Sequence, residues 1–468
     1  MSIATLPMAE APTIDYAATA FLIVCASLVL FMTVPGLALF YGGMSRAKSV
    51  LNMMMMSFGA FGVVGLIYVI YGYSMAFGSE DIGGIIANPF EKLGLAGTDG
   101  LVNPFGYEGY GNIPELIFVG FQLTFAVITV ALISGAIADR VKFSTWLVFS
   151  GLWVTLAYFP IAHMVWGGGL LSGSESGLSA LLFGATDGAA NVAPIDFAGG
   201  TVVHINAGMA GLVLALVVGK RLGFGKTAMR PHNVPLVMIG AGLLWFGWFG
   251  FNAGSELAPD GTAALVWINT TVATCAAMIG WLLVEKVRDG HGTSIGAASG
   301  VVAGLVAITP ACGALSPVGS IGLGAVAGGL SAYAVGLKFR FGFDDSLDVV
   351  GVHLVAGLWG TIGAGLLSTS TGLFYGGGFR QTVVQVAVAL ATLVVSGVVT
   401  LGLGLALKVT MGWRIERDDE VSGIDHAIHA ESAYDLAATS GGRLGSGLAA
   451  ALGQATPTST TVSEGARA

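Results

Sequence analysis

Two stretches decide the fold: Asp196-Phe-Ala-Gly-Gly-Thr-Val-Val-His204-Ile-Asn-Ala-Gly208 and Asp345-Ser-Leu-Asp348-Val-Val-Gly-Val-His353-Leu-Val-Ala-Gly357. In each, an Asp lies eight residues before the His and a Gly four after it. Both histidines sit inside long apolar segments that read as membrane spans. An ionisable side chain in hydrocarbon is costly, so it faces a bundle interior or a pathway and marks function. Two of them in matching contexts point to a repeated scaffold with a shared polar pathway.

The rest of the chain fits a membrane setting. Mean hydropathy is +0.82. Only 10% of the 468 residues are charged, where soluble proteins average about 25%. The 73 glycines favour close helix packing. A β-barrel would show alternating segments of about ten residues; the apolar runs are far longer, so the class is all-α. Eleven spans are expected: 17–41, 51–77, 113–138, 143–162, 197–219, 235–253, 263–284, 294–310, 318–338, 349–370 and 382–410. Most approach or exceed the roughly 20 residues that cross the hydrocarbon, and the eighth is short.

Loop charges orient the spans. Seventeen of the 19 Lys and Arg residues follow odd-numbered spans, and the opposite side carries only Lys92 and Arg380. The positive-inside rule then puts the N-terminus outside and the C-terminus in the cytoplasm of a multi-pass cell-membrane protein. Thirteen acids fall outside and 14 inside, a net −11 against +3 within the chain's −8. A negative outer face raises the local concentration of cations. Exclusion of Lys and Arg from translocated loops would give the same pattern.

His204 lies in span five and His353 in span ten, which run in opposite directions. Five spans plus five with inverted topology is a common transporter plan, and span eleven is an addition. At about 1.5 Å per residue, His204 lies roughly 10 Å from the outer end of its span and His353 roughly 8 Å from the inner end of its own. Both approach the middle of a core about 30 Å thick, where their side chains could meet. The expected organisation is an extracytoplasmic N-terminus (1–16), a transport domain (17–412), a cytoplasmic segment (413–435) and a disordered tail (436–468). The tail is Ala, Gly, Ser and Thr with little to bury. No secretory signal peptide is expected, because the first 16 residues lack a basic n-region. Cys25, Cys275 and Cys312 have no metal-ligand spacing, so neither metal nor cofactor is expected. An acidic chain with no basic patch argues against nucleic acid.

Topology sorts the aromatic residues. Phe121 and Phe125 lie one turn apart near the outer end of span three. Trp166 follows span four on the outside. Phe251 and Ser255 close Trp248-Phe-Gly-Phe-Asn-Ala-Gly-Ser255 at the outer end of span six. Ring faces attract cations, by ~2 kcal/mol or more when desolvated, so one hydroxyl among them makes a plausible cation site. An interfacial aromatic belt is the alternative. Asp196 starts span five, where its carboxylate can cap the helix and still add negative potential. Neutral imidazoles donate, accept and relay protons, which suits a small hydrogen-bonding molecule at His204 and His353.

At these residues the chain resembles the Amt/Mep/Rh family of ammonium transporters. The likeness spans about 17–435. It rests on Asp196 to Gly211, Phe40-Tyr-Gly-Gly43, Phe121-Gln-Leu-Thr-Phe125, Ala162-His-Met-Val-Trp-Gly-Gly-Gly169, Trp248 to Ser255, Thr309-Pro-Ala-Cys-Gly313 and Gly351-Val-His353. The resemblance implies the eleven-helix ammonium-transporter fold, a homotrimer with one pore per subunit, and an ammonium or methylammonium substrate. By it, Phe121, Trp166 and Ser255 are the outer ammonium site, and Phe125 and Phe251 the stacked gate. His204 and His353 become the pore pair, and Asp196 the acid that transport needs. Trp166 and Ser255 place the chain in the Amt branch. Gly423 to Tyr434 resembles the segment that couples subunits near the docking surface for a PII-type signal protein. Outer loop 172–190 and the tail match no pattern of the family.

The implied cycle is cation recognition, deprotonation and passage of ammonia, with the family leaning to electrogenic uptake. A sodium-coupled transporter would place carboxylates near midspan, and none falls there. An ammonium sensor or scaffold signalling through its tail is the other reading. An enzyme is not expected, since no nucleophile–base set appears.

Overall fold

The computed structural model describes residues 13–103 and 111–434. The expected disordered tail 436–468 and residues 1–12 of the N-terminal segment lie outside the described residues. The bundle comprises α1 Tyr16–Met44, α2 Val50–Phe77, α3 Glu115–Ile137, α4 Phe143–Trp166, α5 Gly200–Val218, α6 Val234–Gly254, α7 Gly261–Asp289, α8 Ser294–Ile308, α9 Pro317–Phe341, α10 Val350–Leu367 and α11 Arg380–Thr410. Ten of these are long and apolar enough to cross a membrane, and α8, with 15 residues, is the exception. From Ala298 to Ile308 every residue of α8 is buried. Shielded from lipid, it can continue as turns from Thr309 without exposing backbone to hydrocarbon.

Sequence-local caps start many of these helices. Asp15, Asn233, Asp260, Thr293 and Ser316 each accept an amide at the head of α1, α6, α7, α8 and α9. Helix ends shift from the expected ones. The fourth helix runs past 162 to Trp166, so that indole ends α4 and does not follow it. The fifth begins at Gly200, three residues late, because Asp196 gathers the amides of the first turn. Acidic-face loops hold three two-residue antiparallel strand pairs.

The two histidine helices are built alike. Asp196 Oδ1 accepts the Gly199 (3.0 Å) and Gly200 (2.5 Å) amides, and Oδ2 those of Thr201 (2.9 Å) and Val202 (3.2 Å). Asp345 accepts the Val349 (3.1 Å) and Val350 (2.8 Å) amides at the head of α10. Each helix opens with π-helical turns, Gly200–Ile205 and Val350–Leu354, and each set holds its histidine. Such turns recur at functional sites. The glycine four residues on is where the two helices touch. A Cβ on Gly208 would stand 2.6 Å from the Leu354 nitrogen, and one on Gly357 would stand 3.1 Å from His204 Cβ. Aspartate, histidine and glycine at fixed spacing therefore encode a cap, a buried imidazole and a crossing point, twice.

Both helices start at opposite faces. The α5 head hydrogen-bonds to the end of α4 through Trp166. The α10 head is tied to the other end of α3, where Ser346 and Leu347 donate to the Ala136 and Gly135 carbonyls. At that basic face Arg221 binds Asp344 through Nε (2.9 Å) and Nη2 (2.8 Å), and Asp139 through Nη1 (3.1 Å). Arg140, fully buried, donates to the carbonyls of Ala136, Ala138, Gly219 and Asp344 and to Ser346 Oγ. A guanidinium on carbonyls at helix C-terminal ends is favoured by the helix dipole. The following segment packs back on this face as α12 Arg417–Ser422 and α13 Ile424–His429. Asp425 accepts the Leu51 (3.0 Å) and Asn52 (2.8 Å) amides, and Glu420 accepts the Leu222 amide (2.7 Å).

Candidate substrate pathway

A 130 Å³ cavity opens at the acidic face, lined by Phe77, Phe118, Gln122, Phe125, Trp166, Phe197, Ser255 and Leu257. Helix α3 supplies Phe118, Gln122 and Phe125 from one face, at i, i+4 and i+7. Trp166, at the last position of α4, is fixed by its indole N–H donating to the Asp196 carbonyl (2.9 Å). Asp196 thus holds two elements at once: its carboxylate caps α5 and its backbone oxygen anchors the indole. Ser255 is the C-cap that follows α6 and donates its hydroxyl to the Phe251 carbonyl (2.9 Å).

Behind the cavity the Phe125 and Phe251 rings stack at 4.1 Å and 14°. Parallel rings that close leave no room for water between them, and both are fully buried. Trp166 meets Phe125 edge-on at 5.9 Å. Phe121, also fully buried, meets Phe125 edge-on at 4.9 Å from behind and supports the ring rather than lining the cavity.

Beyond the stacked rings lie the histidines. His204 stands 6.2 Å from Phe251, ring centre to ring centre, and stacks on Trp248 at 5.4 Å and 17°. Trp248 is held in turn by its indole N–H on Thr309 Oγ1 (2.9 Å). His204 Nδ1 and His353 Nδ1 are 3.4 Å apart. A contact between two ring nitrogens needs one proton, so one imidazole donates and the other accepts. The Nε2 of His204 is buried and has no partner among the described residues. No group of three or more His, Cys, Asp or Glu able to hold a metal occurs among the described residues.

Of the eight residues singled out from sequence, Phe125, Trp166 and Ser255 line the cavity, Phe251 stacks behind it, His204 and His353 lie beyond the rings, and Phe121 and Asp196 support the wall without lining it. Sequence reading missed Phe118, Gln122 and Phe197 in the wall and Trp248 and Thr309 behind His204. Helical spacing from Phe125 could have found Phe118 and Gln122. The contact of Trp248 with His204, 44 residues away in sequence, has no local signal.

A membrane-spanning bundle with a ring-lined mouth, a dry partition and buried imidazoles defines a multi-pass transport protein for a small substrate. The sequence matches the family model described as the Ammonium Transporter Family over residues 20–434. The chain belongs to that family. It is 53% identical over 446 residues to a protein named ammonium transporter from Mycobacterium bovis, covering 90% of this chain and 91% of that one. The crystal structure of Candida albicans Mep2 matches with a TM-score of 0.77 at 28% identity, over 90% of this chain and 94% of that one. A solved structure described as a sensor Amt protein matches with a TM-score of 0.77 at 26% identity, over 88% and 98%.

Proposed function

We propose that the protein takes up ammonium across the cell membrane, with its acidic face outward and its C-terminus in the cytoplasm, as a homotrimer with one pore per subunit. The stacked Phe125–Phe251 pair between the cavity and the histidines carries this reading. Its dry barrier disfavours a charge and passes a small neutral molecule. Ammonium docks against Trp166 and Phe125 and donates to the Ser255 oxygen, whose own proton is directed at Phe251. Potassium has no proton to donate. Asp196 acts by holding the α5 head and the indole, and adds negative potential at the mouth.

Ammonium loses its proton at the barrier and ammonia continues past the rings. The paired histidines give that proton a route. Received at His204 Nε2, it is matched by release of the Nδ1 proton towards His353 Nδ1, and the pair carries charge by exchanging tautomers. Net uptake is then electrogenic. Residues 413–434, folded against the basic face, form a regulatory segment, and a PII-type signal protein would dock beside it. The fold shared with a sensor Amt protein keeps a signalling role as the second reading.

Ammonium-evoked current from purified protein on a supported membrane, with potassium as control, tests the proposal. Wild type should respond to ammonium alone. His204→Ala should lower the current at least about 100-fold, as for loss of a positioned proton-transfer group, with assembly intact. A silent wild type that still passes ammonia in a pH-dye assay would make it a neutral channel. Silence in both would leave the sensor.

A further inference from the structure

His163 meets an acceptor at each of its ring nitrogens. Nδ1 lies 3.1 Å from the Ala76 carbonyl and Nε2 lies 2.9 Å from the Asp81 carboxylate. A carbonyl oxygen only accepts, and so does an ionised carboxylate. A neutral imidazole has one N–H and would leave one of these contacts without a proton. The geometry therefore calls for a proton on both nitrogens, an imidazolium paired with a carboxylate. The His163 hydrogen bond holds the Asp81 carboxyl below the usual carboxylate range, and the Gly84 amide adds to this. The ring is buried, whereas the Asp81 side chain is 52% exposed, so the medium at the acidic face reaches the pair through Asp81.

His163 ties together two walls of the 130 Å³ cavity. Ala76 precedes Phe77, which ends α2 and lines the cavity. His163 itself sits on the last turn of α4, three residues before Trp166, which lines the same cavity. Its carbonyl accepts the Gly167 (2.9 Å) and Gly169 (3.1 Å) amides that turn the chain out of α4. Asp81 accepts the Gly84 amide (3.0 Å), and the Gly84 carbonyl accepts that of Leu170 (2.8 Å). One ring thus fastens two helix ends and the loops that follow them. The other ionisable groups of the surrounding elements are engaged elsewhere. Glu91 takes the Ser79 and Glu80 amides, Glu80 takes Asn88, Glu115 takes Tyr73 and Lys92, and Asp196 caps α5.

We propose that His163 is a positioning residue of the outer site: doubly protonated, it clasps Asp81 and Ala76, fixes the helix ends that carry Phe77 and Trp166, and makes the affinity for ammonium depend on outer pH. The inference rests on the reading of this cavity as an outward-facing ammonium site. Loss of a ring proton leaves Nδ1–H on the Ala76 carbonyl and a bare Nε2 against the carboxylate. Repulsion between lone pairs then frees the loop that begins at Gly78 and loosens the wall. The clasp is therefore present at lower pH and lost as pH rises.

Ammonium-evoked current from purified, reconstituted wild type and Asp81→Asn tests it. Half-saturation is expressed as ammonium ion, and outer pH is raised from about 6 to about 9, across and beyond the ordinary imidazole range. Wild-type half-saturation should rise about three- to tenfold, the worth of one hydrogen bond. Asp81→Asn should hold one value throughout, because its carboxamide can donate to the bare Nε2 of a neutral ring and keeps the clasp without charge. His163→Gln, which cannot titrate, should be flat as well. A wild type flat across the range overturns the proposal, and so does a slope that Asp81→Asn retains, which would leave the pair a merely structural role. A pH dependence confined to the saturating current belongs to the pore histidines and overturns it too. Should His163→Gln fail to assemble, Asp81→Asn, altered at a half-exposed side chain, decides alone. A wild type silent to ammonium at every pH removes the transport reading itself, and this inference with it.

Discussion

At the acidic face, phenyl, indole and isobutyl groups form most of the wall of the 130 Å³ cavity, and Gln122 and Ser255 are its polar members. At the basic face, Arg140 and Arg221 have every reach of their guanidinium groups taken up by Asp139, Asp344, Ser346 and backbone carbonyls. The same bundle thus lines one end with rings and few polar groups and saturates polar groups at the other. A ring-lined cavity leaves binding energy for a desolvated cation. A saturated buried pair gives no foothold to a ligand and fixes the register of three loops. Recognition should therefore fail first at one end, and folding first at the other.

The largest test strikes the saturated end. Asp344→Ala leaves Arg221 with only Asp139 and should cost about 3–5 kcal/mol, the usual penalty for an uncompensated buried charge. Thermal unfolding of the detergent-purified protein measures it. Burial alone would push the Asp344 carboxyl up, but the hydrogen-bonded Arg221 guanidinium holds it below the usual carboxylate range. A carboxyl depressed in the folded state contributes stability that is present at neutral pH and lost as pH falls through that range. The wild-type stability curve should therefore drop below about pH 4, and Asp344→Asn should flatten that drop. An ammonium half-saturation that shifted more than stability did would break the contrast between the faces.

Trp166→Leu strikes the other end. Losing a ring face against a desolvated cation should cost about 2 kcal/mol, or roughly a 30-fold rise in half-saturating ammonium. Melting temperature should hardly move, since Trp166 is only partly buried and its indole serves one carbonyl. A large fall in melting with unchanged half-saturation would make Trp166 a brace for Asp196 and not a binding surface.

This contrast also separates what sequence could and could not tell. Span number was legible because hydrocarbon imposes length on apolar runs. The Asp–His–Gly spacing was legible as a repeat, yet not as a cap, a π-helical turn and a crossing point, since those meanings need the partner helix. The cavity was partly legible: its rings cluster near three helix ends, but Gln122 reads as an ordinary polar residue until its place in the wall is seen. The basic-face lock was illegible. Arg140 and Ser346 are 206 positions apart, and nothing local to either says that they meet. Trp166 was placed beyond its helix because the apolar run breaks at His163, whose ring is instead satisfied by the Ala76 carbonyl (3.1 Å) and Asp81 (2.9 Å).

The smallest effect sharpens where the saturated face ends. Asp425 lies in the segment after α11 yet caps α2 through the Leu51 and Asn52 amides. A capping carboxylate is worth about 1 kcal/mol, far less than the Arg221–Asp344 pair. Asp425→Ala should therefore leave overall melting nearly unchanged and loosen only the segment, raising the rate of tryptic cleavage at Arg417 about fivefold. Cleavage at the wild-type rate would mean that contacts before Gly423, such as Glu420 on the Leu222 amide, hold the segment by themselves. The cap would then belong to α2 alone, and the saturated face would stop at Glu420. Faster cleavage with unaltered ammonium current would separate docking from transport, whereas a change in both would tie the segment to the pore it covers.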